Sequence, residues 1–62
     1  MIIAISTRVT EAQNYKEKRN SISFDLVEYL EKIGITALLV PNNLHDINSY
    51  LSKFNIKGVI LT

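Results

Sequence analysis

Apolar residues along this chain occur in two patterns, short continuous runs and helically spaced positions. The short runs cover residues 2–6, 36–40 and 58–62 and are rich in β-branched side chains, which is typical of parallel strands covered on both faces. Between the runs, residues 21–33 and 44–54 place apolar side chains on one face, which predicts two amphipathic helices. The predicted order is β-α-β-α-β.

The predicted helix ends carry local signals. Asn20 or Ser21 is expected to cap the first helix, and Asp25 stands near the positive end of its dipole. Gly34 follows the last apolar position, where a residue in the left-handed conformation commonly ends a helix. For the second helix we expect Asn55 to be the C-cap.

Alternating strands and one-sided helices predict a parallel sheet with right-handed crossovers. We expect a three-layer, flavodoxin-like α/β fold with the strands in the spatial order 2-1-3, the helices either alternating faces or covering one face. Residues 7–20 are polar and without period, and we interpret them as a loop longer than the ~2–6 residues usual there. Strand 58–62 is then an exposed apolar edge, which the remainder of the domain or a partner chain would cover.

Composition favours part of a folded domain. The chain has 62 residues, 47% hydrophobic and 21% charged, which is too apolar for a disordered tail. A chain of this length buries only ~60% of its unfolded surface, and it has no cysteine for a disulfide, a thiolate zinc site or a nucleophile. Because the chain stops within the third predicted strand, we expect residues 1–62 to be the opening part of a larger domain.

Net charge and hydropathy argue against nucleic acid and membranes as partners of this chain. The net charge is +1, whereas nucleic-acid binding needs a concentrated basic patch. No apolar run approaches the ~20 residues of a membrane span, and the apolar start lacks a basic region before it. We therefore expect a cytoplasmic protein with no nucleic-acid or membrane partner. His45 is the only histidine, and we expect no metal site and no cofactor.

The residues after the first strand exclude several common ligand systems. Ser6-Thr7-Arg8-Val9-Thr10 contains no glycine, so it fits neither a P-loop nor a dinucleotide-binding turn. It is also a poor match to a flavodoxin-type phosphate loop, and a phosphoacceptor domain would need acidic residues there. A nucleotide- or flavin-binding half-domain is the weakest of the alternatives.

Two arginines are the candidate binding residues. Arg8 follows the first strand at the edge where α/β proteins bind ligands, and it is suited either to a substrate carboxylate or to loop carbonyls and a neighbouring acid. Arg19 lies in a charged run that favours a solvated loop, and it can fold back toward the same edge. Pro41-Asn42-Asn43 follows the second strand, either as a simple turn or as part of a pocket.

Three segments together resemble the start of class I glutamine amidotransferase-like hydrolases. The similar branch is the gamma-glutamyl-gamma-aminobutyrate hydrolase group, also called the C26 peptidase family. The segments that carry the resemblance are Ile3-Ala4-Ile5-Ser6-Thr7-Arg8-Val9, Val40-Pro41-Asn42 and Gly58-Val59-Ile60-Leu61-Thr62. Tyr15 and Arg19 also fit the family layout, while Asn20 departs from it, since relatives commonly carry Asp there.

The resemblance implies hydrolysis of gamma-glutamyl amides by a cysteine thiolate with a His and a Glu, all downstream of this segment. We expect the chain to be inactive alone and to contribute Arg8 and Arg19, as substrate-binding residues, to the pocket of the full-length parent. The alternative is a small non-catalytic α/β module that completes its sheet with a partner chain.

Overall fold

The computed structural model describes all 62 residues, Met1 to Thr62. Its elements in chain order are β1 (Ile2–Ser6), β2 (Arg8–Glu11), β3 (Lys18–Ser21), α1 (Phe24–Lys32), β4 (Thr36–Val40), α2 (Ile47–Ser52) and β5 (Ile56–Ile60). Three strands form a parallel sheet in the order β4-β1-β5, and β2 and β3 form a separate antiparallel pair. The mixed α/β class and the 2-1-3 order of the parallel strands are confirmed, while the flavodoxin-like assignment stays a prediction.

β1 is the centre of the sheet because its apolar side chains are covered. Ile5 is fully buried, and Ile3 and Ala4 are buried beside it. Side chains alternate along a strand, so Ile3 and Ile5 share one face, and there they form the core with Leu30 of α1. The partly buried residues packed around this core are Ile22, Leu26, Ile35, Ala37 and Ile60.

α1 begins later than the apolar spacing predicts. Ser21 is still part of β3, and the N-cap is Ser23, whose Oγ accepts a hydrogen bond from the backbone N of Leu26 at 3.4 Å. The prediction of a cap at Asn20 or Ser21 is therefore wrong, because strand pairing occupies those residues. Gly34 has a φ of +83°, which confirms the expected left-handed residue after the helix.

α2 is shorter than the predicted helix of residues 44–54. Asp46 is its N-cap and accepts a hydrogen bond from the backbone N of Ser49 at 3.0 Å, and Lys53 rather than Asn55 is its C-cap. A carboxylate satisfies free helical N–H groups better than the apolar Leu44 would. Tyr50 connects the helix to β4, since its hydroxyl donates to the carbonyl of Leu39 at 3.0 Å.

β5 covers residues 56–60 rather than 58–62 and lies at one edge of the sheet. It starts earlier because Ile56 pairs with Ile2, and the register shifts before Gly58 pairs with Ile3. A Cβ at Gly58 would stand 3.2 Å from Cδ1 of Ile3, so glycine allows this close pairing. Val59 remains 63% exposed.

Residues 7–20 are not the loop that their polarity predicts. β2 and β3 pair through the register Arg8 to Ser21 and Thr10 to Arg19, and most of their residues are exposed. A backbone hydrogen bond from Ala12 N to Glu17 O at 3.0 Å closes the turn. We call this element, residues 8–21, the hairpin. Its ladder needs no apolar alternation, which is why the sequence pattern conceals it.

Candidate functional site

The carboxyl ends of β1 and β4 meet at one edge of the sheet, where α/β folds bind ligands. Ser6 pairs with Val40 in the register, and the next residue along β1, Thr7, is buried. The Thr7 hydroxyl donates to the carbonyl of Val40 at 2.9 Å. This bond fixes the point at which the chain leaves the sheet and enters the hairpin.

Four polar residues hold the hairpin against this edge, and we call Thr7, Asn20, Asn42 and Asn43 the asparagine network. The Asn42 side-chain amide donates to the carbonyl of Thr7 at 3.0 Å and to Oδ1 of Asn20 at 3.1 Å. The backbone N of Asn42 donates to the same Asn20 oxygen at 2.9 Å. Asn20 in turn donates to Oδ1 of Asn43 at 3.0 Å. The network therefore connects the ends of β1 and β4 with β3.

From sequence, Asn20 is expected to cap a helix and Asn42 to lie in a turn or a pocket. The structure brings them together across 22 residues of sequence. No spacing rule predicts such a pair, because each asparagine lies in its own turn or strand. The presence of three asparagines next to strand ends was the only available signal.

The hairpin separates two open cavities. The larger one, which we call the Arg8 cleft, has a volume of about 410 Å³. It is lined by Arg8, Thr10, Ser21, Ile22, Ser23, Leu26 and Thr62. One side is therefore apolar, formed by Ile22 and Leu26, and the remainder presents hydroxyl groups and one guanidinium group.

The second cavity, the Asn42 cleft, has a volume of about 390 Å³. It is lined by Val9, Lys18, Arg19, Asn20, Asn42 and Asn43. Its amide groups belong to the asparagine network, which uses most of them in bonds within the protein. This cleft is therefore largely a consequence of how the hairpin is attached.

The two candidate arginines differ in their surroundings. Arg8 is exposed and makes no side-chain hydrogen bond or ion pair, so its guanidinium is available to a ligand. Arg19 donates to the Tyr15 hydroxyl and to Oε2 of Glu17 at 3.3 Å, and its guanidinium carbon lies 5.7 Å from the centre of the Tyr15 ring. The structure thus places Arg19 with the hairpin turn and does not bring the two arginines into one cleft.

Thr62 is hydrogen-bonded to Ser6 at the end of β1. The backbone N of Thr62 donates to Oγ of Ser6 at 2.7 Å, and the Thr62 hydroxyl donates to the Ser6 carbonyl at 2.9 Å. These two bonds keep Thr62 at the rim of the Arg8 cleft. Sequence reasoning did not identify this contact, because its partners stand 56 residues apart.

The side chains form no group that could hold a metal ion. His45 is exposed, and no three acidic or histidine side chains come together as a possible metal site. The longest helix has nine residues, and neither helix has the length or the apolar character to cross a bilayer. The Arg8 cleft combines an unpaired guanidinium with an apolar wall.

Comparison of the chain with protein-family models, with curated proteins and with solved structures found no match. The resemblance carried by residues 3–9, 40–42 and 58–62 therefore stays a prediction. Any functional conclusion rests on the residues of this chain and on their geometry.

Proposed function

We propose that this chain is the amino-terminal part of a cytoplasmic, class I glutamine amidotransferase-like hydrolase that acts on gamma-glutamyl amide bonds. The observation that carries the proposal is the unpaired guanidinium of Arg8 directly after the central strand β1. At this edge of a parallel sheet, a free cation beside a cavity is well placed to bind an anionic substrate group.

The chemistry would require groups that this segment does not carry. In the reaction that the resemblance implies, a cysteine thiolate attacks the amide carbonyl, the amine leaves, and water hydrolyses the glutamyl thioester. A His and a Glu orient and protonate the reacting groups, and a Gly-Gly loop after the third strand supplies the oxyanion hole. Because the chain has no cysteine, we expect it to be inactive alone.

Arg8 and Arg19 are the substrate-binding residues of this proposal. Arg8 would pair with a carboxylate of the substrate through its planar fork of N–H donors. Arg19 is held by Tyr15 and Glu17 at the hairpin turn, so it would contact only the outer part of a substrate that extends beyond the Arg8 cleft. No cofactor is needed for this reaction.

Exposed apolar surface supports the proposal that more polypeptide packs on this segment. Only five of 62 residues are buried, and Leu61 is 82% exposed next to the exposed Val59 of edge strand β5. Edge strands with apolar side chains are commonly covered or paired in native proteins. The same surface favours the alternative function, a non-catalytic α/β module whose sheet is completed by a partner chain.

The mass and the activity of the protein as it occurs in its source cells decide between these two functions. An antibody against residues 8–19 would capture the protein from its source cells for intact mass measurement and for an assay with gamma-glutamyl-p-nitroanilide. We expect a mass of roughly four times 7.1 kDa and hydrolysis that iodoacetamide abolishes. A captured protein of 7.1 kDa without hydrolysis would overturn the proposal and favour the alternative.

A further inference from the structure

We infer that the Arg8 cleft binds a small linear carboxylate, with the carboxylate on Arg8 and the hydrocarbon chain against Ile22 and Leu26. This inference deepens the proposed function and rests on it only for the view that the bound molecule is part of a substrate. The binding itself is argued from the geometry of the cleft.

The charge of the cleft selects an anion. Arg8 is the only lining residue with a charged side chain, and no acidic side chain lines the cavity to neutralise it. The Arg8 side chain makes no hydrogen bond or ion pair within the protein. A guanidinium group offers paired N–H donors whose geometry matches the two oxygens of a carboxylate.

The hydroxyl groups of the cleft leave two further hydrogen-bond donors. Oγ1 of Thr10 and Oγ of Ser21 are 2.7 Å apart, so one hydroxyl donates to the other and the second keeps its proton free. The Thr62 hydroxyl already donates to Ser6. Ser23 also keeps its hydroxyl proton, because its Oγ only accepts from the backbone N of Leu26. Two hydroxyl protons of the lining are thus free to donate to a bound carboxylate.

The apolar side of the cleft selects a hydrocarbon chain. Ile22 and Leu26 are half-buried and pack against the core, so the surface they present is held in place. The cavity volume of about 410 Å³ lies within the usual range for small-molecule sites. Burial of each methylene group is worth up to about fourfold in affinity, so a longer chain should bind more tightly.

The other cleft lacks this combination. Arg19 already has Glu17 as an ion-pair partner at 3.3 Å, and Val9 is the only apolar residue that lines the Asn42 cleft. Lys18 also lines that cleft and has no ion-pair partner, but a carboxylate bound there would bury little of its hydrocarbon chain. The carboxylate with a hydrocarbon chain is therefore assigned to the Arg8 cleft, which has the apolar wall that the other cleft lacks.

The test is a titration of isotopically labelled residues 1–62 with hexanoate, butanoate and neutral hexanamide, followed by proton–nitrogen NMR spectra. The carboxyl terminus is amidated, so that no α-carboxylate of Thr62, which lines the cleft, competes for Arg8. We expect saturable shifts at Ser21, Ser23 and Leu26, tighter binding of hexanoate than of butanoate, and little effect of hexanamide. Arg8→Gln should weaken hexanoate binding about tenfold. Lys18→Gln removes the same charge from the other cleft and should leave the affinity unchanged.

Equal binding of hexanoate and hexanamide, or equal losses in Arg8→Gln and Lys18→Gln, would overturn the inference. Both substitutions are at exposed positions and should leave the fold intact. The same spectra check this, because a lost fold would collapse the dispersion of the signals. If the protein in its source cells has a mass of 7.1 kDa and still binds hexanoate, the hydrolase proposal is refuted and the carboxylate site stands. If the protein is a larger, active hydrolase but its residues 1–62 bind no carboxylate, the hydrolase proposal stands and the carboxylate site is refuted.

Discussion

The parallel sheet and the hairpin lie side by side, yet different interactions hold them. In β1 the three residues Ile3, Ala4 and Ile5 are buried, so burial of apolar surface is the main stabilising term. In the hairpin every residue of β2 is exposed, and the attachment to the sheet depends on the asparagine network. An apolar run therefore indicates a strand of the sheet, buried in β1 but only partly buried in β4 and β5. An exposed strand requires only a paired backbone and a few directional side-chain bonds.

This contrast predicts which substitutions unfold the whole molecule and which unfold only the hairpin. Loss of a core side chain should destabilise the whole molecule, because the sheet and α1 share one small core. Loss of a network side chain should release the hairpin and leave the sheet folded. The following substitutions test the contrast from the largest expected effect to the smallest.

Ile5→Ala should have the largest effect. Ile5 is fully buried, and truncation of such a side chain costs about 2–5 kcal/mol, which is comparable to the whole stability expected of a domain this small. Urea unfolding followed by circular dichroism measures the loss. Val9→Ala is the control in the hairpin, where the side chain is 56% exposed and the cost should be below about 0.5 kcal/mol. Similar losses in both variants would contradict the contrast.

Asn42→Ala should detach the hairpin. The variant loses the side-chain bonds to Thr7 and Asn20, which together contribute about 1–2 kcal/mol. Hydrogen exchange of backbone amides measures the result, and residues 8–21 should exchange about tenfold faster while β1 and β4 keep their protection. Asn48→Ala serves as the control, since Asn48 is exposed on α2. Uniform acceleration throughout the chain would show that the hairpin and the sheet unfold as one unit.

Gly34→Ala should destabilise the sheet side of the molecule by about 1 kcal/mol. Gly34 has a φ of +83°, and a Cβ there would meet no atom within 4 Å, so the cost comes from the backbone conformation alone. Thermal unfolding measures the change, and Gly34→Asn should recover part of it because Asn tolerates this conformation better. Equal melting temperatures for Ala and Gly would indicate that the helix end relaxes.

Arg19→Gln should have the smallest effect on stability. The ion pair with Glu17 is exposed, with about half of each side chain accessible, and such pairs contribute about 0–1 kcal/mol. The contacts of Arg19 with Tyr15 are exposed as well. The measurement is hairpin amide exchange at low and high salt, where the part of the difference that comes from the ion pair should shrink as salt rises. An effect as large as that of Asn42→Ala would show that the ion pair, not the asparagine network, holds the hairpin.

The parallel strands were predictable because each contains a short run of apolar, β-branched residues, although only β1 is buried along its length. β1 and β4 have the bounds that their apolar runs predict, residues 2–6 and 36–40. β5 starts earlier than expected because Ile56 belongs to the ladder although the polar Lys57 follows it. The helices are shorter than their apolar periods, since Ser23 and Asp46 satisfy the first N–H groups within each predicted span.

The candidate site was predictable only in part. The position of Arg8 follows from the end of β1 and the rule for parallel sheets. The hairpin was missed because its exposed strands contain no apolar alternation, and its presence sets Arg8 and Arg19 on different clefts. Hydrogen bonds between residues 22 to 35 positions apart position the hairpin, and no local pattern encodes contacts of that range.

The asparagine network also sets an order of events during folding. The hairpin closes a short turn and forms on a timescale of about 1–10 μs, whereas Asn42 reaches Thr7 only across a separation of 35 residues. That contact requires β4 to have paired with β1, after α1 has brought the two strands together. Docking of the hairpin is therefore a late step, and the walls of the Arg8 cleft come together only when the rest of the chain is already in place.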